Sequence, residues 1–103
     1  MRENEILLRE KLAGEIGTVA WSWLRPHQER GVLFLVGEEL ELIEVAIAVA
    51  EDRAETIRQW LASGCLGRPD AEMVAAWENR GGLFRGVIVK PYVFFQPAEL
   101  AAS

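Results

Sequence analysis

An α+β fold is what this sequence predicts: about five helices packed on a small sheet of three to four strands, with a helix-turn-helix-like helix pair. Three observations point there. Val32-Leu33-Phe34-Leu35-Val36, closed by Gly37, is a β-type run with apolar residues on both faces. Glu39 to Ala50 carries Leu40, Leu42, Ile43, Val45, Ile47 and Val49, a helix apolar nearly all round and therefore buried. Leu83 to Val89 and Tyr92 to Gln96 are two more β-type runs on either side of Lys90-Pro91.

In chain order, residues 4–16 read as a helix, with Leu8, Leu12 and Ile16 on one face and Gly14 and Gly17 weakening and ending it. Residues 18–21 read as a short extended stretch. Ser22 suits the N-cap of a brief helix running to about Arg30 and stopped by Gly31, although Pro26 is awkward beyond a first turn. The central strand Val32–Val36 and the buried helix follow. Asp52, with Glu55 after it, has the spacing of a capping box for the next helix, whose expected buried stripe is Ala54, Ile57, Trp60 and Leu61. Gly64 sits where a left-handed C-terminal cap belongs. Cys65-Leu66-Gly67 reads as a minimal strand or a turn. Pro69-Asp70 opens a further helix with Met73, Val74 and Trp77 inward, ended by Arg80-Gly81-Gly82. The last two runs form either a hairpin or one long strand with proline at its edge. Tyr92, Phe94 and Gln96 point one way, Val93 and Phe95 the other. A sheet apolar on both faces needs two covering layers, from helices divided between the faces or from another subunit.

Size and composition exclude several classes. Residues 1–103 suit one domain, with 98–103 as a frayed tail. Half the residues are apolar, so a core is available without metal or disulfide support. Cys65 is the only cysteine, which predicts a reducing compartment and a cytoplasmic location. The charged start Met1-Arg2-Glu3-Asn4-Glu5 is no signal peptide. The longest apolar run, Val45 to Ala50, falls far short of the roughly 20 residues that a membrane span needs, so no membrane is expected. The formal charge of −5 argues against a nucleic-acid partner, which normally requires a basic footprint.

Arg9-Glu10-Lys11-Leu12, Trp21, Leu24, Pro26-His27, Arg30-Gly31, Leu42-Ile43-Glu44-Val45-Ala46, Ala50-Glu51-Asp52, Trp60-Leu61, Gly64, Trp77 and Val87-Ile88-Val89-Lys90-Pro91-Tyr92-Val93 form a set spread over nearly the whole chain. Together they resemble a family of short bacterial proteins, of about this length, classed as a domain of unknown function. Where that family is expected to carry Pro-Trp-Val, this chain has Pro91-Tyr92-Val93. The resemblance implies a cytoplasmic bacterial protein and brings no reaction, ligand or catalytic residue with it.

The reactive groups are sparse. His27 is the only histidine, and Cys65 is distant in sequence with no Cys-x-x-Cys companion, so neither a zinc set nor a histidine-assisted nucleophile is expected. Cys65 follows a helix C-terminus, which does not lower a thiol pKa. Glu38, Glu39, Glu41, Glu44, Glu51 and Asp52 read as the wet stripe of an apolar helix; an enzyme using them with Mg²⁺ is the outlying alternative. Gly81-Gly82 lacks the Lys-Ser/Thr of a phosphate loop, and Gly14-x-x-Gly17 is no dinucleotide fingerprint. No catalytic, metal-binding or cofactor-binding residue is assigned, and no cofactor is expected.

Four tryptophans are many for this length. Trp60 and Trp77 fit the core by helical spacing, while Trp23, between Ser22 and Leu24-Arg25, is balanced between core and interface. Tyr92 and Phe94, on one face of the last strand, form a second interface candidate. The leading expectation is therefore a non-enzymatic adaptor or assembly factor that binds another protein, or a second copy of itself as a homodimer, through Trp23, Tyr92 and Phe94. The alternative is a winged-helix-like nucleic-acid-binding regulator reading with Arg53, Arg58 and Gln59. From Asp52 to Arg68, three arginines oppose two acids, a local charge of only +1.

Overall fold

The computed structural model describes residues 2–98, with side chains described from residue 6. Helix α1 (Arg2–Glu15) leads into strand β1 (Gly17–Ala20), helix α2 (Trp21–Glu29) and strand β2 (Leu33–Val36). Helices α3 (Leu42–Ala50) and α4 (Ala54–Ser63) follow, then the short strand β3 (Leu66–Gly67) and helix α5 (Ala71–Arg80). Strands β4 (Leu83–Val89) and β5 (Tyr92–Pro97) close the fold. Beyond Ala98, the expected frayed tail lies outside the described residues.

The described strands form a five-stranded sheet in the order β1-β4-β5-β2-β3. The excess over the expected three or four comes from β1 and β3, both short and both at the edges. Strands β4 and β5 form the hairpin alternative, with Val89 opposite Tyr92 across a cis Lys90–Pro91 bond. Strand β2 pairs parallel to β5, with Phe34 beside Phe94, and antiparallel to β3. The other neighbours are antiparallel.

The pleat sorts the apolar side chains into two clusters. Phe34, Val36, Val87 and Phe94 pack with Leu12 of α1 and Leu42, Val45 and Ala46 of α3, and Ile57 and Trp60 of α4 lie against that cluster. Leu33, Phe84, Val93 and Phe95 pack on the opposite face with Trp21 and Leu24 of α2, covered by Val74 and Trp77 of α5. The helices thus divide between the faces. Rings dominate the second cluster: Trp77 lies 5.3 Å from Phe84 and 5.5 Å from Phe95, edge to face.

Local details depart from the expectations. Helix α2 begins at Trp21, and its N-cap is Ala20 without a side-chain bond, not Ser22. β1 carries the chain in extended form up to Ala20, so the turn is made where Trp21 enters the core. Pro26 sits inside α2, where it has no N–H to offer the carbonyl of Ser22, an exposed residue. Helix α3 starts at Leu42 rather than Glu39, because residues 37–40 form a turn. Gln96 at the end of β5 holds that turn, donating from Nε2 to the carbonyls of Gly37 at 3.1 Å and Leu40 at 2.7 Å.

Asp52 is not an N-cap either. Its φ of 57° is left-handed, Arg53 occupies the N-cap position of α4, and no side chain caps that end. The backbone explains it: Asp52 N–H donates to Val49 O at 3.1 Å and Arg53 N–H to Ala48 O at 2.9 Å. This is the paired termination of a helix whose following residue turns left-handed, and Asp52 ends α3 rather than starting α4. The same pairing ends α2, where Gly31 N–H donates to Gln28 O at 3.0 Å and Val32 N–H to His27 O at 3.1 Å, with Gly31 at φ 77°. The expectations for Gly64 (φ 86°) and for Asp70 both hold, and Asp70 accepts from the Met73 amide at 2.8 Å. Of the α4 stripe, only Ile57 and Trp60 pack inward; Ala54 and Leu61 are exposed because α4 lies at the sheet margin beside edge strand β3. Met73 likewise faces outward.

Candidate functional site

A groove of about 430 Å³ opens between α4 and the tip of the β4–β5 hairpin. Its floor is aromatic: Phe34 lies 5.7 Å from Tyr92, edge to face, and 5.8 Å from Phe94, stacked. Parallel pairing of β2 with β5 makes this floor, since it sets Phe34 directly beside Phe94. Val49, Ile57, Leu61 and Leu66 add apolar wall, and Asp52, Arg58 and Lys90 bring charge to the lining. Tyr92 remains 41% exposed and Leu61 45%, so the chain does not cover its own groove. Volume and lining match ligand-binding clefts, which run roughly 300–1,000 Å³ and are mostly apolar with a few polar groups.

The three interface candidates do not converge. Tyr92 and Phe94 share the groove, but Phe94 is only 3% exposed and shapes the floor rather than offering free surface. Trp23 stands on the other face of the sheet, above Gly86 and Val19. It is 40% exposed, and its ring lies 4.9 Å from His27. Two residues apart on α2, Trp21 and Trp23 diverge, so Trp21 is buried and Trp23 is not. The His27 Nδ1 atom accepts from Arg30 Nη2 at 2.9 Å, which requires a neutral imidazole. Burial first, then the Arg30 charge, pushes its pKa below the ordinary 6.5.

Elsewhere some charges are tied into local pairs. Glu78 of α5 accepts from Trp21 Nε1 at 2.8 Å and from Arg25 Nε and Nη2 at 2.7 and 2.6 Å. Its carboxyl is held below the usual range, chiefly by the Arg25 bond and then by Trp21. No sequence pattern marked Glu78; the pairing depends on α2 and α5 lying side by side. Among the supposed carboxylate stripe, Glu44 binds Arg9 at 2.6 Å and Glu51 pairs with Arg53, while Glu41 and Glu51 fall at the two ends of α3. Cys65 is half-buried, and its carbonyl accepts from Gly37 N–H at 2.7 Å. Among the described residues, no three His, Cys, Asp or Glu side chains gather as a metal site would need, and no helix is long and apolar enough to cross a membrane.

A five-stranded mixed sheet between two helical layers, with an open aromatic groove at its margin, defines an α+β protein with a cleft. The chain belongs to the family described as protein of unknown function (DUF2288), whose family model matches residues 7–97. It is similar to PA1075 from Pseudomonas aeruginosa, known from an NMR solution structure, with 34% identity over 89% of this chain and 85% of that one. The TM-score of 0.76 shows the same fold. No curated protein matches.

Proposed function

We propose that this protein acts by binding and not by catalysis, holding an apolar group of another protein in the groove between α4 and the β4–β5 hairpin. The observation that carries this reading is the exposed ring of Tyr92, backed by Phe34 and Phe94 and faced by exposed Leu61. Burying aromatic surface in a preformed apolar cleft is the usual source of binding energy at protein contacts. Nothing favours the nucleic-acid alternative: Arg53 pairs with Glu51, Arg58 lines the apolar groove, and the net charge is −5.

Tyr92→Ala combined with Leu61→Ser tests the reading, because both positions are exposed and the variant should melt as the parent does. Co-purification from the native host and the oligomer mass in solution are the readouts. Loss of a partner, or of self-association, is expected. If partners and mass are both unchanged, the proposal fails.

A further inference from the structure

The groove has a charge character that its apolar floor does not explain. The chain as a whole is acidic, yet the groove lining holds two cations, Arg58 and Lys90, against one acid, Asp52. Arg9 and Arg25, away from the groove, are held in ion pairs at 2.6 Å. Arg58 has only a 3.5 Å contact with Glu55, between side chains 68% and 80% exposed. Such a pair holds its members weakly. The Lys90 side chain has no hydrogen bond or ion pair within the described residues. Two under-engaged cations therefore border an aromatic surface.

We propose that the group received there is an apolar side chain accompanied by a carboxylate: an acidic–apolar segment of the partner protein. Its apolar anchor covers Tyr92 and Leu61, and its acid pairs with Arg58 and Lys90. A basic segment would meet an excess of like charge, and an uncharged one would leave Lys90 unpaired and Arg58 with only its long contact to Glu55. A protein segment suits the site better than a small organic acid. Clefts for small molecules enclose roughly 70–90% of the ligand surface, whereas here the exposed rim at Tyr92 and Leu61 calls for a broader cover. This inference rests on the groove being the binding surface proposed above.

The probe is a blocked peptide of alternating leucine and glutamate, titrated into ¹⁵N-labelled full-length protein, with the leucine–lysine peptide as its control. Amide shifts at Leu61, Tyr92 and Phe94 should follow the acidic peptide. Arg58→Glu with Lys90→Glu, both at exposed positions, should weaken that binding roughly tenfold and raise the affinity of the lysine peptide. Equal shifts from both peptides would overturn the charge inference while leaving the groove as a binding surface. So would silence from both peptides while Tyr92→Ala with Leu61→Ser still strips the native partner. Tighter binding of 4-phenylbutyrate than of the acidic peptide would make a small acid the occupant and overturn the assignment to a protein segment.

Discussion

Asp52 carries two local preferences that compete, and the outcome is decided by its neighbours along the chain. Aspartate is favoured at helix N-caps and is also one of the few residues that tolerates a left-handed backbone. Glu55 three residues on makes the first role look persuasive in sequence. The α3–α4 corner uses the second, because the amides of Asp52 and Arg53 turn back to Val49 and Ala48. A residue that cannot sit left-handed exposes the difference. Asp52→Val is expected to cost about 1–2 kcal/mol, read as a shift in the urea midpoint, whereas Asp52→Asn stays close to the parent. If Val is as well tolerated as Asn, the left-handed position is not what the corner requires. Tyr92 shows the same dependence on context. Its presence in an alternating strand was readable, but the groove beside it is formed by Phe34, distant in sequence and brought near by parallel pairing.

Helix α5 is anchored to α2 by one carboxylate. Glu78 accepts three bonds from Trp21 and Arg25, so its ionised form is favoured in the folded protein and its pKa is depressed from the ordinary 4.5. The sign follows from linkage. A carboxyl with a lowered folded pKa contributes stability above its unfolded value, and that contribution is lost as pH falls through the lower folded value. Glu78→Gln should therefore lower the melting temperature near neutral pH, and the gap from the parent should shrink as the pH is taken below 4.5. Melting curves of both proteins at the two pH values check this; a gap that persists in acid assigns the loss to packing instead. Among the elements, α5 and its Asp70 cap were legible because capping is local chemistry. The α4 stripe was not fully legible. Helical spacing names a face, but how much of that face is covered depends on whether the helix lies over the middle of the sheet or at its edge.

Two apolar layers share one sheet, and the rings on β5 connect them. Phe94 faces the α1–α3 side, while Val93 and Phe95 face the α2–α5 side. Loss of either layer leaves the other with half a scaffold, so the whole should unfold in one step. Phe95 is fully buried and packs 5.6 Å from Phe84 and 5.5 Å from Trp77. Phe95→Ala should cost about 3–5 kcal/mol, a large share of the roughly 5–15 kcal/mol available to a domain. Coincident loss of tryptophan fluorescence and far-UV circular dichroism in denaturant is the check; separated transitions would mean that the layers fold independently.

Periodicity and turn residues were enough to establish the helices, the strands β2, β4 and β5, and the double-sided sheet. These depend on neighbours within a turn or a pleat, where chain geometry leaves few choices. The strand order, the parallel β2–β5 contact, the separation of Trp23 from Tyr92 onto opposite faces, and the gathering of Phe34, Arg58 and Lys90 around one groove were decided by the tertiary structure alone. Each brings together residues far apart in the chain, and short strands of similar composition admit several pairings until long-range packing selects one.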